Sequence, residues 1–374
     1  MVKNYGMIYL KSTNVHLVKD MGMIPFKLNK NHNYNSTLIT FKNGEFTYQN
    51  DVVKGLKLDF VKRIFNSYTI DGSLYLLKNS KKYDVLQMFH VTLSSFCYAF
   101  IYKLVNPKGK LYLKLDCSYK LPEKINKLNK LSKCILNKFF NKYELITVEQ
   151  EKLYSELIEL VPSLKGKLKI LPNGIDFDYF EKMNLKYNYE QKENIILNVA
   201  RIGVEEKNTY MLIEAFKNVN EDVRKGWELR LVGPVEEEFK KSYKEFCNKN
   251  PELCKSIKIV GNIDDRIELY KEYEKAKIFS LTSIFESFGI VFIEAAAFGD
   301  VIVSTDVGIA YEIVKEGNGA LVKSGDTYSL TKNLERFMTR NSLHDISYDS
   351  YKIIRDKYDW DKIVEFLYNE IEKI

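Results

Sequence analysis

Residues 277–305, "KIFSLTSIFESFGIVFIEAAAFGDVIVST", decide the fold of this chain. The stretch begins and ends with β-rich runs, at residues 277–282 and 301–305, and the run from Ile290 between them is typical of a helix. A strand, a helix and a second strand in this order favour two parallel strands joined by a covering helix. The stretch therefore predicts an α/β protein built on a parallel sheet.

The same alternation extends through the rest of the sequence. Further β-rich runs begin at Tyr5, Thr37, Tyr83, Leu111, Tyr143, Leu168, Asn194, Glu228, Ile257 and Ala320. Twelve strands fit two doubly wound sheets better than one, and the Pro-Asn-Gly turn at residues 172–174 places the hinge after the sixth strand. We therefore predict Rossmann-like domains at residues 1–180 and 181–355, followed by an amphipathic helix at 356–374.

The composition excludes several classes of protein. The chain has 374 residues, 45% of them hydrophobic, which is enough for two apolar cores. Its five cysteines are scattered without a Cys-x-x-Cys pair, which favours free thiols over a disulfide framework or a zinc site. The N-terminus lacks a signal-peptide pattern, and the longest apolar run, residues 91–105, is too short to span a bilayer. We therefore expect a soluble, cytoplasmic protein.

Basic residues are concentrated in the first half. Residues 1–180 contain 28 Lys and Arg and 15 Asp and Glu, whereas residues 181–374 contain 29 and 35. The basic half, which includes a lysine-rich helical stretch at 124–140, suggests an anionic partner such as a lipid surface, a phosphorylated lipid, an acidic glycan or nucleic acid. Solubility alone is the simpler explanation. Nucleic acid is not expected, because no basic-aromatic binding module of a recognisable type is present.

Two glutamates, Glu286 and Glu294, flank the turn between the strand and the helix of the opening stretch. Backbone N–H groups at a helix start near Ile290 form an anion site at the edge of the sheet where α/β proteins bind ligands. Carboxylates repel a phosphate there, but they accept hydrogen bonds from hydroxyl groups on either side of it. A nucleoside-diphosphate sugar carries its groups in this order. Taken alone, each glutamate is better explained as an ordinary surface or helix residue.

Two cations fall at the same edge of the predicted sheet. Arg201 and Lys207 follow the first strand of the second half. A guanidinium and a nearby ammonium are the usual neutralisers of a departing phosphate. A lone Arg and Lys on a loop are usually surface residues, but together with the glutamate pair they indicate a site for a nucleoside-diphosphate sugar.

Five segments of the second half resemble a known family when taken together in order. They are "PNGIDFDYF", "LNVARIGVEEKNTYMLIEAF", "LRLVGP", "IVGNIDD" and "SIFESFGIVFIEAAAFGDVIVSTDVGIAYEIV". They look like the nucleotide-sugar domain of family 4 retaining glycosyltransferases, including its Glu-x7-Glu signature, over roughly residues 170–325. The resemblance implies the GT-B architecture, in which two Rossmann-like domains face each other across a cleft and a C-terminal helix crosses back to the first domain.

The resemblance also implies roles for matching residues of the second half. Glu294 would hold the ribose, Glu286 the hydroxyls of the donor sugar, and Arg201 with Lys207 the diphosphate. The remaining donor contacts would come from Asn262 and Ile263 beside the nucleobase and from the backbone N–H groups of Ser287, Phe288, Gly289 and Ile290. Asn208 follows Lys207 where a glycine is common in the family.

The first half matches the family less closely. Its members usually have a glycine pair in the loop after the first strand, where this chain has only Gly22, which stands in for it in part. His90, at the end of "YDVLQMFH", matches a histidine that reaches the donor sugar and joins Glu286, Arg201 and Lys207 in the expected catalytic set. Its alternative explanation is a core or loop histidine without a role. The acceptor is not specified.

The resemblance implies transfer with retention of configuration, from a UDP-sugar by family frequency, to a glycan, glycolipid or polyprenyl-linked acceptor in bacterial surface polysaccharide synthesis. No cofactor or metal is expected, because the Asp-x-Asp spacings at 176–178 and 359–361 are interpreted as turn and cap residues. A peripheral position at the inner face of the cytoplasmic membrane would give the basic half an anionic partner. Two alternatives are a non-catalytic partner subunit of another transferase and a nucleotide-sugar epimerase of the same fold.

Overall fold

The structure, a computed structural model, describes residues 2–115, 120–315 and 317–374. It divides into two compact units. Unit 1 comprises the chain up to Gly174 together with Trp360–Ile374, and unit 2 comprises Ile175–Asp359. These limits lie a few residues from positions 180 and 355, which the sequence pattern predicts.

Unit 1 is built on a parallel sheet. Its strands are β1 (Asn4–Ile8), β2 (Asn35–Thr40), β3 (Lys57–Phe60), β4 (Val85–Phe89), β5 (Lys110–Leu115), β6 (Leu145–Val148) and β7 (Leu168–Ile170). Over the described residues the seven strands have the order β3-β2-β1-β4-β5-β6-β7. The chain reverses its direction of travel across the sheet between β1 and β4, which is the position where ligands of open α/β sheets bind.

Helices cover both faces of this sheet. They are α1 (Asp20–His32), α2 (Tyr48–Asp51), α3 (Tyr68–Asn79), α4 (Leu93–Val105), α5 (Lys120–Asn126), α6 (Lys130–Phe140) and α7 (Glu151–Leu160). Met7 and Ile8 are neighbours in β1 but belong to different apolar clusters, because successive strand side chains point to opposite faces. Residues of α1 share the cluster of Met7, whereas residues of α4, α6 and α7 share that of Ile8.

Unit 2 repeats this plan. Its strands are β8 (Glu193–Val199), β9 (Glu228–Val232), β10 (Ile257–Gly261), β11 (Ala276–Phe279), β12 (Val301–Thr305) and β13 (Gly319–Val322). In the described part of the chain these six strands are parallel in the order β10-β9-β8-β11-β12-β13. The direction reverses between β8 and β11, so the loops after these two strands meet at the switch point of unit 2.

The helices of unit 2 connect its strands. They are α8 (Phe177–Lys182), α9 (Thr209–Asn218), α10 (Glu221–Arg224), α11 (Glu237–Lys249), α12 (Pro251–Cys254), α13 (Arg266–Lys275), α14 (Ile290–Ala297), α15 (Ala310–Ile313), α16 (Thr327–Met338) and α17 (Leu343–Lys357). Across the residues that the structure describes, no helix combines the length and the apolar composition that crossing a membrane requires.

The last helix, α18 (Trp360–Glu372), belongs to unit 1 and packs against α1. Its buried face includes Trp360, Ile363 and Leu367, as the amphipathic pattern of the sequence predicts. The Lys27 ammonium, on the buried side of α1, lies 2.8 Å from Asp361 Oδ1. The final helix is therefore held by apolar burial and by an ion pair.

Three local expectations from the sequence are wrong. The edge strand β3 was not expected, because charged Lys57 and Asp59 interrupt its short apolar pattern. Residues 124–140 form parts of two helices instead of one, since the Asn129 side chain accepts a hydrogen bond from Ser132 N and starts α6. The expectation that the cysteines are free thiols is also wrong for two of them, Cys247 and Cys254.

Cys247 and Cys254 form a disulfide between α11 and α12, with Cα atoms 5.6 Å apart. The seven-residue spacing carried no signal of pairing, and only the helical turn between α11 and α12 brings the two residues together. Cys97 and Cys134 have free thiols. Cys117 lies outside the described residues.

A fully buried ion pair lies at the amino ends of two strands of unit 2, where Lys192 directly precedes β8 and Asp300 directly precedes β12. Lys192 Nζ is 2.7 Å from Asp300 Oδ1 and also donates to the carbonyl of Ala276 at 2.6 Å. Burial lowers the pKa of Lys192 and raises the pKa of Asp300 to about 7, with each partner opposing the shift of the other. Each charge therefore depends on the other for compensation in a site without solvent.

We expect Lys192→Met to lower the free energy of unfolding by about 3–5 kcal/mol, because the Asp300 carboxyl loses its buried cation. The loss should be larger at pH 8 than at pH 5: Lys192 lowers the pKa of Asp300 in wild type, so its removal raises that pKa further, and the variant continues to lose stability at a pH where the wild-type pair is already ionised. Urea unfolding across this range measures the effect. The double variant Lys192→Met/Asp300→Asn is the control, and failure to recover stability would contradict a charge-based explanation.

Candidate functional site

The loops that follow β8 and β11 are held together at the switch point of unit 2. The strands pair in parallel, with Leu197 opposite Phe279. Beyond them, Ile284 N donates to the carbonyl oxygen of Glu206 at 2.8 Å, and Thr282 Oγ1 donates to that of Asn208 at 3.0 Å. Side chains on either loop are therefore brought into contact by the backbone.

Lys207 and Glu286, predicted from separate motifs, form an ion pair across these loops. Lys207 Nζ lies 2.7 Å from Glu286 Oε1, and Ser283 Oγ donates to the same oxygen at 2.8 Å. The side chains are only 13% and 14% exposed. The pair is thus largely shielded from solvent, and these two contacts hold the Glu286 carboxylate in one geometry.

Glu206 extends this pair towards solvent. Its Oε1 lies 3.2 Å from Lys207 Nζ, and its Oε2 lies 3.9 Å from Arg201 Nη2. Arg201 and Glu206 are both exposed. Arg201, Glu206, Lys207 and Glu286 therefore alternate in charge along one line of contacts, which we call the charged cluster.

The turn before α14 has the geometry of an anion-binding helix start. Gly289 caps the helix with φ of 79°, a left-handed conformation that glycine adopts without strain. The carbonyl of the buried Phe288 accepts a hydrogen bond from Ile309 N at 2.8 Å, so the loop after β12 supports this turn. Ser287 is exposed and Ile290 begins the helix, which turns its amino end towards the carboxyl edge of the sheet.

Glu294 lies one turn into α14 and is 9% exposed. Its Oε2 accepts a hydrogen bond of 3.2 Å from the hydroxyl of Tyr273, on α13. Burial, together with the nearby Glu294 charge, raises the pKa of Tyr273 well above its usual value, so the phenol remains a donor. The carboxylate is thereby oriented from the side of the core.

The two residues expected beside the nucleobase follow β10, two strands away from β8. Asn262 is exposed and donates from Nδ2 to Asp264 Oδ1 at 2.6 Å, whereas Ile263 is half-buried against the core of unit 2. Their position is on the carboxyl edge of the sheet, as for the other predicted donor residues of this unit.

His90 immediately follows β4 at the switch point of unit 1. Its φ of 58° is a left-handed conformation that few residues other than glycine adopt, and its N–H donates to the Lys114 carbonyl at 3.0 Å. A cavity of about 170 Å³ lies beside it, with a lining that includes Tyr9, Lys11, Tyr68, His90, Ser94 and Tyr98. Strain at such a position, next to a cavity, is typical of functional sites.

Gly22 lies in the first turn of α1, and the structure gives it a clear packing role. A Cβ atom there would lie 2.1 Å from the carbonyl oxygen of Leu17, so no larger residue fits without a backbone shift. Close packing alone accounts for this glycine. Its part in donor binding stays a prediction.

The Asp-x-Asp segment at residues 359–361 makes ion pairs within the protein. Asp361 pairs with Lys27, and Asp359 Oδ2 lies 3.4 Å from Arg355 Nη1. Within the described ranges, no three His, Cys, Asp or Glu side chains are grouped so that they would hold a metal ion. Metal independence stays a prediction.

Sequence reasoning missed Glu206, Ser283, Gly308 and the aromatic lining of the cavity beside His90. Ser283 stands three residues before Glu286, and Gly308 follows the β12 strand by three residues, so both had a weak positional signal. Glu206 had none, because a glutamate between other charged residues in a loop is ordinary. Over the described residues, only its backbone carbonyl, which accepts from Ile284 N, reaches the loop that lies about 80 residues further along the sequence.

The whole chain has the GT-B fold of solved glycosyltransferases. It aligns with HepE of Anabaena in complex with UDP and glucose over 100% of both chains, at 15% identity and a TM-score of 0.72. Residues 180–352, which form most of unit 2 and include the charged cluster and Glu294, match the family described as Glycosyl transferases group 1.

Curated relatives agree with this match. The chain is 28% identical over 230 residues to a probable sucrose-phosphate synthase of Thermosipho melanesiensis, covering 60% of this chain and 52% of the relative. It is 26% identical over 241 residues to the capsular polysaccharide biosynthesis glycosyltransferase CapM of Staphylococcus aureus, covering 60% of each. The chain thus spans about half to three-fifths of the length of these relatives.

We expect Gly308→Ala to destabilise unit 2 by clearly more than the roughly 1 kcal/mol that a positive φ costs alone. Its φ is 58°, and a Cβ atom would lie 2.4 Å from the Phe288 carbonyl oxygen. Gly325→Ala is the matched control, with φ of 85° and nothing within 4 Å of the added atom. Hydrogen exchange at Ile309 N should accelerate in Gly308→Ala only. Equal behaviour of the two variants would refute the proposed support of the turn.

Proposed function

We propose that this chain is a retaining glycosyltransferase that moves a sugar from a UDP-sugar to a glycan, glycolipid or polyprenyl-linked acceptor, in bacterial surface polysaccharide synthesis. The observation that carries this proposal is the convergence of Lys207, Glu286 and Arg201 at the switch point of unit 2, beside the amino end of α14. The UDP complex of HepE and the polysaccharide role of CapM support the donor and the pathway.

In this proposal the donor lies along the carboxyl edge of the unit 2 sheet. Arg201, Lys207 and the backbone N–H groups from Ser287 to Ile290 hold the diphosphate. Glu294, oriented by Tyr273, accepts hydrogen bonds from the ribose hydroxyls. Glu286, oriented by Ser283, accepts from hydroxyls of the donor sugar. Asn262 and Ile263 border the nucleobase.

The reaction breaks the bond between sugar C1 and the diphosphate oxygen, and the bonding electrons leave with the diphosphate. The acceptor hydroxyl oxygen bonds to C1 on the face from which the diphosphate departs, so configuration is retained. The acceptor proton passes to an oxygen of the leaving phosphate. Arg201, Lys207 and the start of α14 stabilise the negative charge that develops there. No metal or other cofactor is included in this scheme.

The first unit supplies the remaining proposed residues. We propose that the His90 side chain contacts the donor sugar. This role would account for the strained backbone of His90, directly after β4. Gly22 is assigned only a supporting role near the donor phosphate, since its packing against Leu17 already explains a glycine there.

Nucleotide binding tests the donor assignment. We expect UDP to raise the melting temperature more than GDP or ADP, and we expect Arg201→Ala and Glu294→Ala to abolish that shift. With a competent donor and acceptor, Arg201→Ala should also lower kcat by about 10²–10³-fold, the usual cost of losing one preorganised group that stabilises developing charge.

The exposed Arg336→Ala, on α16, is the charge-matched control and should retain the UDP shift. No shift with any nucleotide would contradict the donor site and favour the non-catalytic partner subunit. Interconversion of free nucleotide sugars without an acceptor would favour the epimerase.

A peripheral membrane position is proposed on the exposed face of two helices in unit 1. Ile70 and Leu77 on α3, and Leu93, Phe100 and Leu104 on α4, are 47–73% exposed. Their spacings of seven and four residues place each set on one side of its helix. We call these five residues the α3–α4 face; Thr69 Oγ1 and Ser94 Oγ join the two helices at 2.8 Å.

The segment that carries the α3–α4 face is basic. Residues 68–108 contain five lysines, whereas their only acidic residues are Asp71, which is buried, and Asp84. Lys142 Nζ lies 5.6 Å from the centre of the Phe100 ring. Exposed apolar side chains flanked by lysines suit the surface of an anionic bilayer, where apolar burial and charge attraction act together.

We expect the full chain to sediment with vesicles of phosphatidylglycerol and phosphatidylcholine, and to be released by high salt. Phe100→Ser/Leu104→Ser should weaken this binding by about tenfold or more, because two large apolar side chains no longer enter the interface. The control Tyr328→Ser removes an aromatic residue of unit 2 that is more exposed than either of them. Equal binding of both variants and wild type would exclude the α3–α4 face as the contact surface.

A further inference from the structure

Glu206 contacts both cations that are assigned to the diphosphate. Its carboxylate oxygens lie 3.2 Å from Lys207 Nζ and 3.9 Å from Arg201 Nη2. Its carbonyl oxygen accepts the 2.8 Å hydrogen bond from Ile284 N that joins the two loops of the site. The backbone of Glu206 is thus held in place. Its carboxylate occupies the position at which a bound phosphate would contact Arg201 and Lys207.

The two carboxylates of the charged cluster differ in how firmly they are held. Glu286 is largely buried and is bound by both Lys207 Nζ and Ser283 Oγ. The Glu206 side chain is 45% exposed, and the Arg201 side chain with which it pairs is 58% exposed. Exposed pairs of this kind are weak and exchange readily, because water compensates either charge when they separate. Glu206 is therefore the replaceable anion and Glu286 the fixed one.

We propose that Glu206 sets the affinity for the nucleotide by competing with its diphosphate for Arg201 and Lys207. The inference rests on the proposed function and assigns a role to a residue outside the donor contacts. When the diphosphate binds, it replaces the Glu206 carboxylate on Arg201 and Lys207. The net free energy of binding is therefore smaller than it would be if the two cations had no partner to lose. The same competition favours departure of the nucleoside diphosphate that transfer leaves behind.

Calorimetric titration of UDP, UMP and uridine into wild type, Glu206→Gln and Glu205→Gln tests this competition. Glu205 is the matched control, because it is exposed on the same turn and its side chain forms no ion pair within the described residues. Both variants remove one negative charge from the same loop. Only Glu206→Gln removes the ion pairs to Arg201 and Lys207, so the difference between the variants isolates those ion pairs.

We expect Glu206→Gln to lower the Kd of UDP by about 3- to 10-fold, as the loss of two weak ion pairs allows. The gain should be smaller for UMP and absent for uridine, which has no phosphate. Glu205→Gln should gain clearly less for UDP, and Glu206→Asp, which keeps the charge, should stay closer to wild type than Glu206→Gln.

Unchanged or weaker UDP binding in Glu206→Gln would overturn the inference, provided that wild type binds UDP. An equal gain in both variants would overturn it as well, because the effect would then be one of net charge. Absence of UDP, GDP and ADP binding to wild type and to every variant would instead overturn the proposed function, and this inference with it.

Discussion

Parallel pairing of β8 with β11 positions the charged side chains of unit 2. The two strands run side by side at the switch point, so the loops that follow them leave the same edge of the sheet at adjacent positions. Lys207 and Glu286 are 79 residues apart in sequence, yet they form a 2.7 Å ion pair because of this pairing. An antiparallel partner would have placed the second loop at the opposite edge.

The Lys192–Asp300 pair and the charged cluster of unit 2 differ in burial. Lys192 and Asp300 have no exposure, and removing either charge leaves the other uncompensated in a medium that solvates it poorly. The charged cluster lies on loops and becomes more exposed from Glu286 to Arg201. Its outer members are solvated well enough to exchange partners, which a site for an anionic ligand requires. Burial thus distinguishes a structural ion pair from the set of groups that we propose for donor binding.

Unit 1 combines a strained backbone with an unusual surface. His90 adopts a left-handed conformation after β4, and its N–H is bound to the strand that carries the buried Lys114. Lys114 in turn lies 3.0 Å from Asp20 at the start of α1 and 2.8 Å from Glu149 after β6. This buried network ties three loops of the carboxyl edge together, so the position of His90 is fixed by the core. The α3–α4 face lies on the helices that cover the sheet.

Much of the fold was predictable because strand patterns are local. Twelve of the strands appear where apolar, β-branched runs occur, and α14 begins at Ile290 as its sequence indicates. The edge strand β3 was missed because an edge position does not require an apolar pattern, and the break before α6 because Asn129 caps a helix that its neighbours would continue.

The sequence by itself determined the alternation of strands and helices and the residue types at the carboxyl ends of β8 and β11. Hydrophobic periodicity and turn chemistry act over a few residues, so both can be read without a structure. Only the tertiary structure decided which of these side chains touch. The Lys207–Glu286 pair, the hydrogen bond from Ile284 N to the Glu206 carbonyl and the Cys247–Cys254 disulfide depend on strand order and helix packing, which join residues whose separation in sequence carries no signal of contact.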